Sequence, residues 1–169
     1  MNTAAYWIDR LNLQRHPEGG WFRETYRAVE QIGEKGLPAR YLSPRCFSTA
    51  IYYLLEKNDH SVFHRLKSDE TWHFYTGTSS IRLFIISPKG KLSGYLIGPH
   101  PDQDEVFQLH IPQNHWFAAL LTNPEGFALI GCTVAPGFEF DDFEIGKRSE
   151  LTKMFPKHRE IIEKMTKAE

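Results

Sequence analysis

The chain has 169 residues, 41% hydrophobic and 14% aromatic, which is enough for one globular core over residues 1–169 and too apolar for a disordered or fibrous protein. Twenty Lys plus Arg stand against 21 Asp plus Glu, so no net field draws the chain to nucleic acid or to an anionic membrane. No stretch approaches ~18 uninterrupted apolar residues and no basic-then-apolar leader is present, giving the expectation of a soluble, cytoplasmic protein. Its two thiols, Cys46 and Cys132, are then expected to be reduced and interior.

Residues 4–13 place Trp7, Ile8 and Leu11 at the spacing of a short amphipathic helix. His16-Pro-Glu-Gly-Gly20 ends it, because Pro and paired Gly suit a turn. From Trp21 the period changes to two: Phe22, Glu24 and Tyr26 alternate with Arg23, Thr25 and Arg27. The segment 28–45, with Gly33, Gly36, Pro38 and Pro44, has no apolar period and is expected to be a long loop or mobile flap. Strand-like runs follow at 46–56, 70–76, 80–87, 92–98, 105–111, 115–121 and 127–134, separated by turn signals such as Pro88-Lys-Gly-Lys91 and Asn123-Pro-Glu-Gly126. The tail 149–167 carries Leu151, Phe155, Ile162 and Met165 at helical spacing, with Pro156 fitting the first turn of a second short helix. The whole predicts a mainly β protein, a sandwich, jelly roll or barrel with short terminal helices.

The most informative stretch is His64-Arg-Leu-Lys-Ser-Asp-Glu70-Thr-Trp-His-Phe-Tyr-Thr-Gly77. It resembles the first cupin motif, H-x-H-x3-E-x6-G, with Leu66 where the second histidine ligand belongs. The second cupin motif maps on Pro112-Gln-Asn114-His115-Trp116-Phe117, where Asn114 replaces a turn glycine, a change Asn tolerates at positive φ. Phe117 stands in place of the third histidine. Three blocks together, His16–Arg27, Phe63–Gly77 and Cys132–Glu144, resemble the fifth cupin domain family, a class of RmlC-like jelly rolls described as a domain of unknown function. The resemblance implies a double-stranded β-helix, a jelly-roll cupin barrel, and a homodimer, as in many small cupins. An exposed early strand, Trp21–Arg27, is suited to pairing across a two-fold axis.

Because Leu66 and Phe117 offer no donor, no metal ligand set and no cofactor are expected. The barrel is expected to hold a small organic ligand. His64 and Glu70 are the candidate catalytic pair, the carboxylate orienting the ring and stabilising its imidazolium form. Trp116, Phe117, Phe74 and Tyr52 are candidates for an aromatic wall, Arg23 for a clamp on an anionic group, and His73 for a further contact if a bulge turns it inward. The run Phe138-Glu-Phe-Asp-Asp-Phe-Glu144 lacks Ca²⁺-loop spacing and is expected to supply aromatic plugs with a solvated acidic edge. Three functions follow as expectations: a metal-independent isomerase or epimerase of a sugar-like or nucleotide-sugar substrate, a non-catalytic binding module, and a metal-dependent oxygenase or isomerase borrowing His73 or His60.

Overall fold

Alternating side chains close the chain into two facing sheets whose inner faces share one core. The structure is a computed structural model that describes residues 2–168. One sheet runs in the order β1 (Gln14–Arg15), β2 (Trp21–Arg27), β5 (Thr49–Glu56), β13 (Phe127–Ala135), β7 (Asp69–Gly77), β11 (Gln108–Ile111). The other runs β10 (Glu105–Val106), β9 (Leu92–Ile97), β8 (Ile81–Ile86), β12 (Trp116–Leu121), β6 (His60–Leu66), β14 (Phe143–Ile145). A small ladder of β3 (Gln31–Ile32) with β4 (Arg45–Cys46) stands apart. This is a jelly-roll barrel, mainly β as the period-two runs imply.

Between the sheets, Tyr53, Leu55, Trp72, Leu83, Ile85, Phe117 and Ile130 form the central core. The helices cover the outer faces. Helix α1 (Ala4–Arg10), capped by the Thr3 hydroxyl accepting from Tyr6 N–H, lays Trp7, Ile8 and Leu11 against Leu54, Phe127 and Leu129. Helices α2 (Arg148–Met154) and α3 (Arg159–Lys164) bury Leu151, Phe155, Ile162 and Met165 against Phe63, Ile86, Trp116 and Ala118 on the other sheet. Pro156 opens the single turn before α3, where its missing N–H costs nothing.

Three expectations change. Strand β6 was not among the expected runs, because Ser61, His64 and Arg65 interrupt the apolar alternation, and it carries His64. The run 46–56 divides into β4 and β5. The segment 28–45 is tied to the barrel rather than free of it: the buried Arg45 guanidinium grips Asp142 with two hydrogen bonds, at 2.5 and 2.7 Å, and the Tyr41 hydroxyl and Arg40 Nε donate to Lys67 O. Asp142 is therefore interior, not part of a solvated edge. Asn114 does take φ +58° at the turn before β12.

Candidate functional site

The site is built around the turn His16–Gly20, which enters the end of the barrel. Gly19 has φ +113°, and a Cβ there would lie 1.9 Å from His60 O; Gly20 has φ +70°, with a Cβ 2.8 Å from Leu54 O. Only glycine lets the backbone pass this close. Val62 N–H donates to Glu18 O at 3.0 Å and the Tyr53 hydroxyl donates to Gly19 O at 2.8 Å. The turn is thereby fixed with the Glu18 side chain pointing into the barrel, against a cavity of about 100 Å3 also lined by His16, His64, Leu66, Glu70 and Phe143.

Inside, one hydrogen-bonded chain sets the protonation states. His64 Nδ1 lies 2.8 Å from Val62 O, and a carbonyl only accepts, so Nδ1 carries a proton. His64 Nε2 faces Glu18 Oε2 at 3.1 Å, and Glu18 Oε1 accepts from the Ser61 hydroxyl at 2.9 Å. One proton must lie between Nε2 and Oε2. Burial pushes the His64 pKa down to about 4 and raises that of Glu18, because an ion pair this deep loses more hydration than it regains. The proton therefore resides on Glu18, and the pair is a neutral acid beside a neutral base. His16 accepts from Glu18 N–H at Nδ1 and is also held toward its neutral form, chiefly by burial. Phe117 packs on the His64 ring at 4.0 Å and Phe143 at 5.4 Å, so the imidazole is wedged.

Glu70 enters from β7, opposite Val134 of β13. It is buried, and its Oε2 has no hydrogen-bond partner, nor has the nearby Trp72 Nε1. Its pKa rises to about 8, first through burial and then through the neighbouring Glu18 carboxyl; the Trp72 indole and Cys132 thiol only partly offset this. Leu66 and Phe117 occupy two positions of the cupin donor set as apolar walls, and His64 Nε2 is engaged by Glu18. The residues present do not fit the usual cupin metal. Among the described residues no group of three or more His, Cys, Asp or Glu side chains is arranged to hold an ion.

The cavity mouth is shaped by a bulge in β2. Phe22 pairs Tyr53 and Glu24 pairs Ile51, then the register slips so that Arg27 pairs Thr49. The slip brings Arg27 back to the face of Glu24. Its guanidinium donates through Nε and Nη2 to Glu24 at 3.1 and 2.8 Å, through Nη1 to Glu139 at 2.6 Å, and through Nη2 to Phe138 O. Phe138, Phe140 and Phe143 stand edge to face beside it, the aromatic plug expected from the 138–144 run.

Of the residues singled out from sequence, His64 and Glu70 line the cavity together. They do not pair with each other: the carboxyl on His64 Nε2 is Glu18, and burial disfavours the imidazolium. Phe117 is a core residue beneath His64, while Trp116, its neighbour on the opposite face, packs under the C-terminal helices. Arg23 and Tyr52 meet on the outer face at 5.9 Å, with Tyr75 beside Tyr52. His73 is also outside, bonded to Thr133 and Gln108, since no bulge separates it from Glu70. Phe74 packs beside the central core without lining the cavity. His60 bonds Asn58 O and does not line it either. In sequence His16 and Glu18 stand in the first family-like block but read locally as a turn with no sign of a place in the cavity, and the bulge hides the face that Arg27 takes.

A jelly roll with cupin-motif residues around a cavity at one end of the barrel defines a cupin. The family model described as "Cupin superfamily (DUF985)" matches residues 5–146, and the chain belongs to that family. It is similar to the uncharacterised protein YML079W of Saccharomyces cerevisiae, 29% identical over 163 residues, covering 86% of this chain and 76% of the yeast one. Among solved structures it resembles protein SO0799 of Shewanella oneidensis, with a TM-score of 0.89 and 34% identity over the full length of both. A hypothetical protein from Leishmania major follows at TM-score 0.88 and 31% identity, covering 99% of this chain and all of that one. Oxalate decarboxylase of Bacillus subtilis, at 18% identity, TM-score 0.55 and 37% coverage of its own chain, shares the fold.

Proposed function

We propose that the protein binds a compact, sugar-like organic molecule in the barrel and moves a proton on it, as an isomerase or epimerase does. The observation that carries this is the 3.1 Å contact of His64 Nε2 with Glu18 Oε2, a neutral base and a neutral acid facing one cavity. His64 Nε2 takes the proton from a carbon next to a carbonyl, and Glu18 gives its proton to the developing enolate oxygen. Return of the proton by His64 to the neighbouring carbon, with Glu18 taking its proton back from the hydroxyl on the first carbon, isomerises the substrate; return to the same carbon after the intermediate has turned its other face to His64, with Glu18 taking its proton back from the enol oxygen, epimerises it. The fixed Nδ1–H bond to Val62 O keeps the basic nitrogen aimed inward throughout. Glu70 is the third polar group that meets the ligand.

A cavity of about 100 Å3 is smaller than the ~150 Å3 that accommodates benzene in an engineered core. Only a compact reacting part enters, and the nucleotide of a nucleotide sugar would lie outside the barrel. The test is deuterium incorporation from heavy water into a panel of hydroxy-aldehydes and ketoses, from glyceraldehyde to fructose. Exchange that disappears in His64→Gln supports the proposal. Absence of exchange across the panel would sink the catalytic reading.

A second reading is a binding module. Its support is that Ser61, Glu18 and His64 already satisfy one another. Affinity for members of the panel without any exchange would favour it.

A further inference from the structure

Four carboxyl groups line the cavity and its mouth: Glu18, Glu24, Glu70 and Glu139. Against them stands one fixed cation, Arg27, and each of its three nitrogens is already committed to Glu24, Glu139 or Phe138 O. The two histidines of the cavity, His16 and His64, are held toward their neutral forms, chiefly by burial. An anionic ligand would find no uncommitted cationic donor there, and it would approach past two mouth carboxylates. Among the described residues two buried side-chain polar atoms have nothing bound to them, Trp72 Nε1 and Glu70 Oε2, and of the two only Glu70, a residue 7% exposed, lines the cavity. A buried carboxyl oxygen in that condition is costly unless a donor reaches it from the cavity.

We propose that the ligand of this cavity carries a cationic nitrogen beside its hydroxyl groups, a compact amino alcohol or amino sugar, and that the Glu70 carboxylate receives it. This rests on the cavity being the ligand site. On binding, the Glu70 carboxyl ionises, its proton passes to solvent, and the ligand ammonium donates to Oε2. Ionisation at neutral pH costs little, because Glu70 titrates near 8, about one pH unit away. The aromatic lining agrees with the same class: Phe22 and Phe143 offer ring faces and edges to the aliphatic part of such a ligand, and ring faces also attract a cation. Glu18 stays with His64, so the proton-transfer pair and the cation-binding carboxylate are different groups.

The probes are ethanolamine, ethylene glycol and glycolate, nearly equal in size and differing in charge. Binding is followed by the shift of the Trp72 indole N–H resonance, which lies beside Glu70. Ethanolamine is expected to bind about tenfold or more tightly than ethylene glycol, and glycolate most weakly. In Glu70→Gln, ethanolamine should fall to the level of ethylene glycol, with far-ultraviolet circular dichroism confirming the fold. The ranking on the unaltered protein decides the matter even if that variant unfolds. Glycolate binding as tightly as ethanolamine, or an unchanged ethanolamine affinity in folded Glu70→Gln, overturns the cationic class while leaving the cavity as a ligand site. No shift with any probe at several hundred millimolar overturns both.

Discussion

Glu18 Oε2 and His64 Nε2 meet at 3.1 Å although they come from a turn before β2 and from the middle of β6. The contact has the distance of a salt bridge and the energetics of a neutral hydrogen bond, since burial opposes both charges. This has a mutational consequence. Glu18→Gln keeps an N–H to donate to Nε2 and is expected to change stability by less than about 1 kcal/mol. His64→Ala leaves a buried carboxyl without its acceptor and should cost about 1–3 kcal/mol. Urea denaturation compares the two, and a Glu18→Gln variant as damaged as His64→Ala would mean that the pair is ionic.

The pH dependence of stability follows from two opposed shifts. Glu70 binds its proton more tightly when folded, with its pKa raised from 4.5 to about 8. Its contribution is full below 4.5 and is lost as pH rises toward 8. His64 is lowered from 6.5 to about 4, so its contribution is full above 6.5 and is lost as pH falls toward 4. Between 4.5 and 6.5 the two slopes oppose each other. Above 6.5 Glu70 is no longer opposed by His64. Stability should then fall, with a slope up to about 1.4 kcal/mol per pH unit from Glu70. Thermal melts from pH 6.5 to 8 should show the decline, and Glu70→Gln should flatten it. A melting temperature that is level or rises over that range would contradict the buried, protonated Glu70.

Gly19 is required by the way the turn passes His60. Gly19→Ala places a methyl where His60 O lies at 1.9 Å and at φ +113°, and should cost about 2 kcal/mol or more. Gly94→Ala, at a glycine whose Cβ would meet nothing within 4 Å, serves as the comparison. Equal effects by chemical denaturation would show that the turn relaxes away from the barrel.

Trp116 supports the C-terminal helices and not the ligand. It is 3% exposed, packed with Leu151 and Ile162, with the Arg65 guanidinium 4.5 Å over its ring. Trp116→Ala should therefore lower unfolding stability by about 3–5 kcal/mol, with cavity-ligand affinity unchanged in the folded fraction. Lost affinity at retained stability would return Trp116 to the cavity wall.

Much of the barrel is legible in period-two runs and turn residues, including the left-handed Asn114. The position of the cavity is legible too, because His64, Leu66 and Glu70 hold motif spacing. The expected aromatic wall could not stand as a set, since Trp116 and Phe117 are adjacent on one strand and point to opposite faces. The same alternation, counted from Glu70, places His73 outside. What sequence hides is the origin of the second carboxyl. His16-Pro-Glu-Gly-Gly20 has the composition of an exposed turn, and only the contact of Gly19 with a distant strand reveals that the turn enters the barrel. Arg27 is hidden for a related reason, because one bulge between Glu24 and Tyr26 reverses the parity that places it.

The protonation of the Glu18–His64 pair is the point on which the proposed chemistry depends, and long-range proton–nitrogen correlation NMR of the His64 ring reads it directly. The result expected is a protonated Nδ1 and an unprotonated, hydrogen-bond-accepting Nε2 at pH 7, with no titration of the ring from pH 8 down to 5. Two protonated ring nitrogens at pH 7, or a ring that titrates near its ordinary value, would contradict a neutral base and leave His64 as half of a buried ion pair.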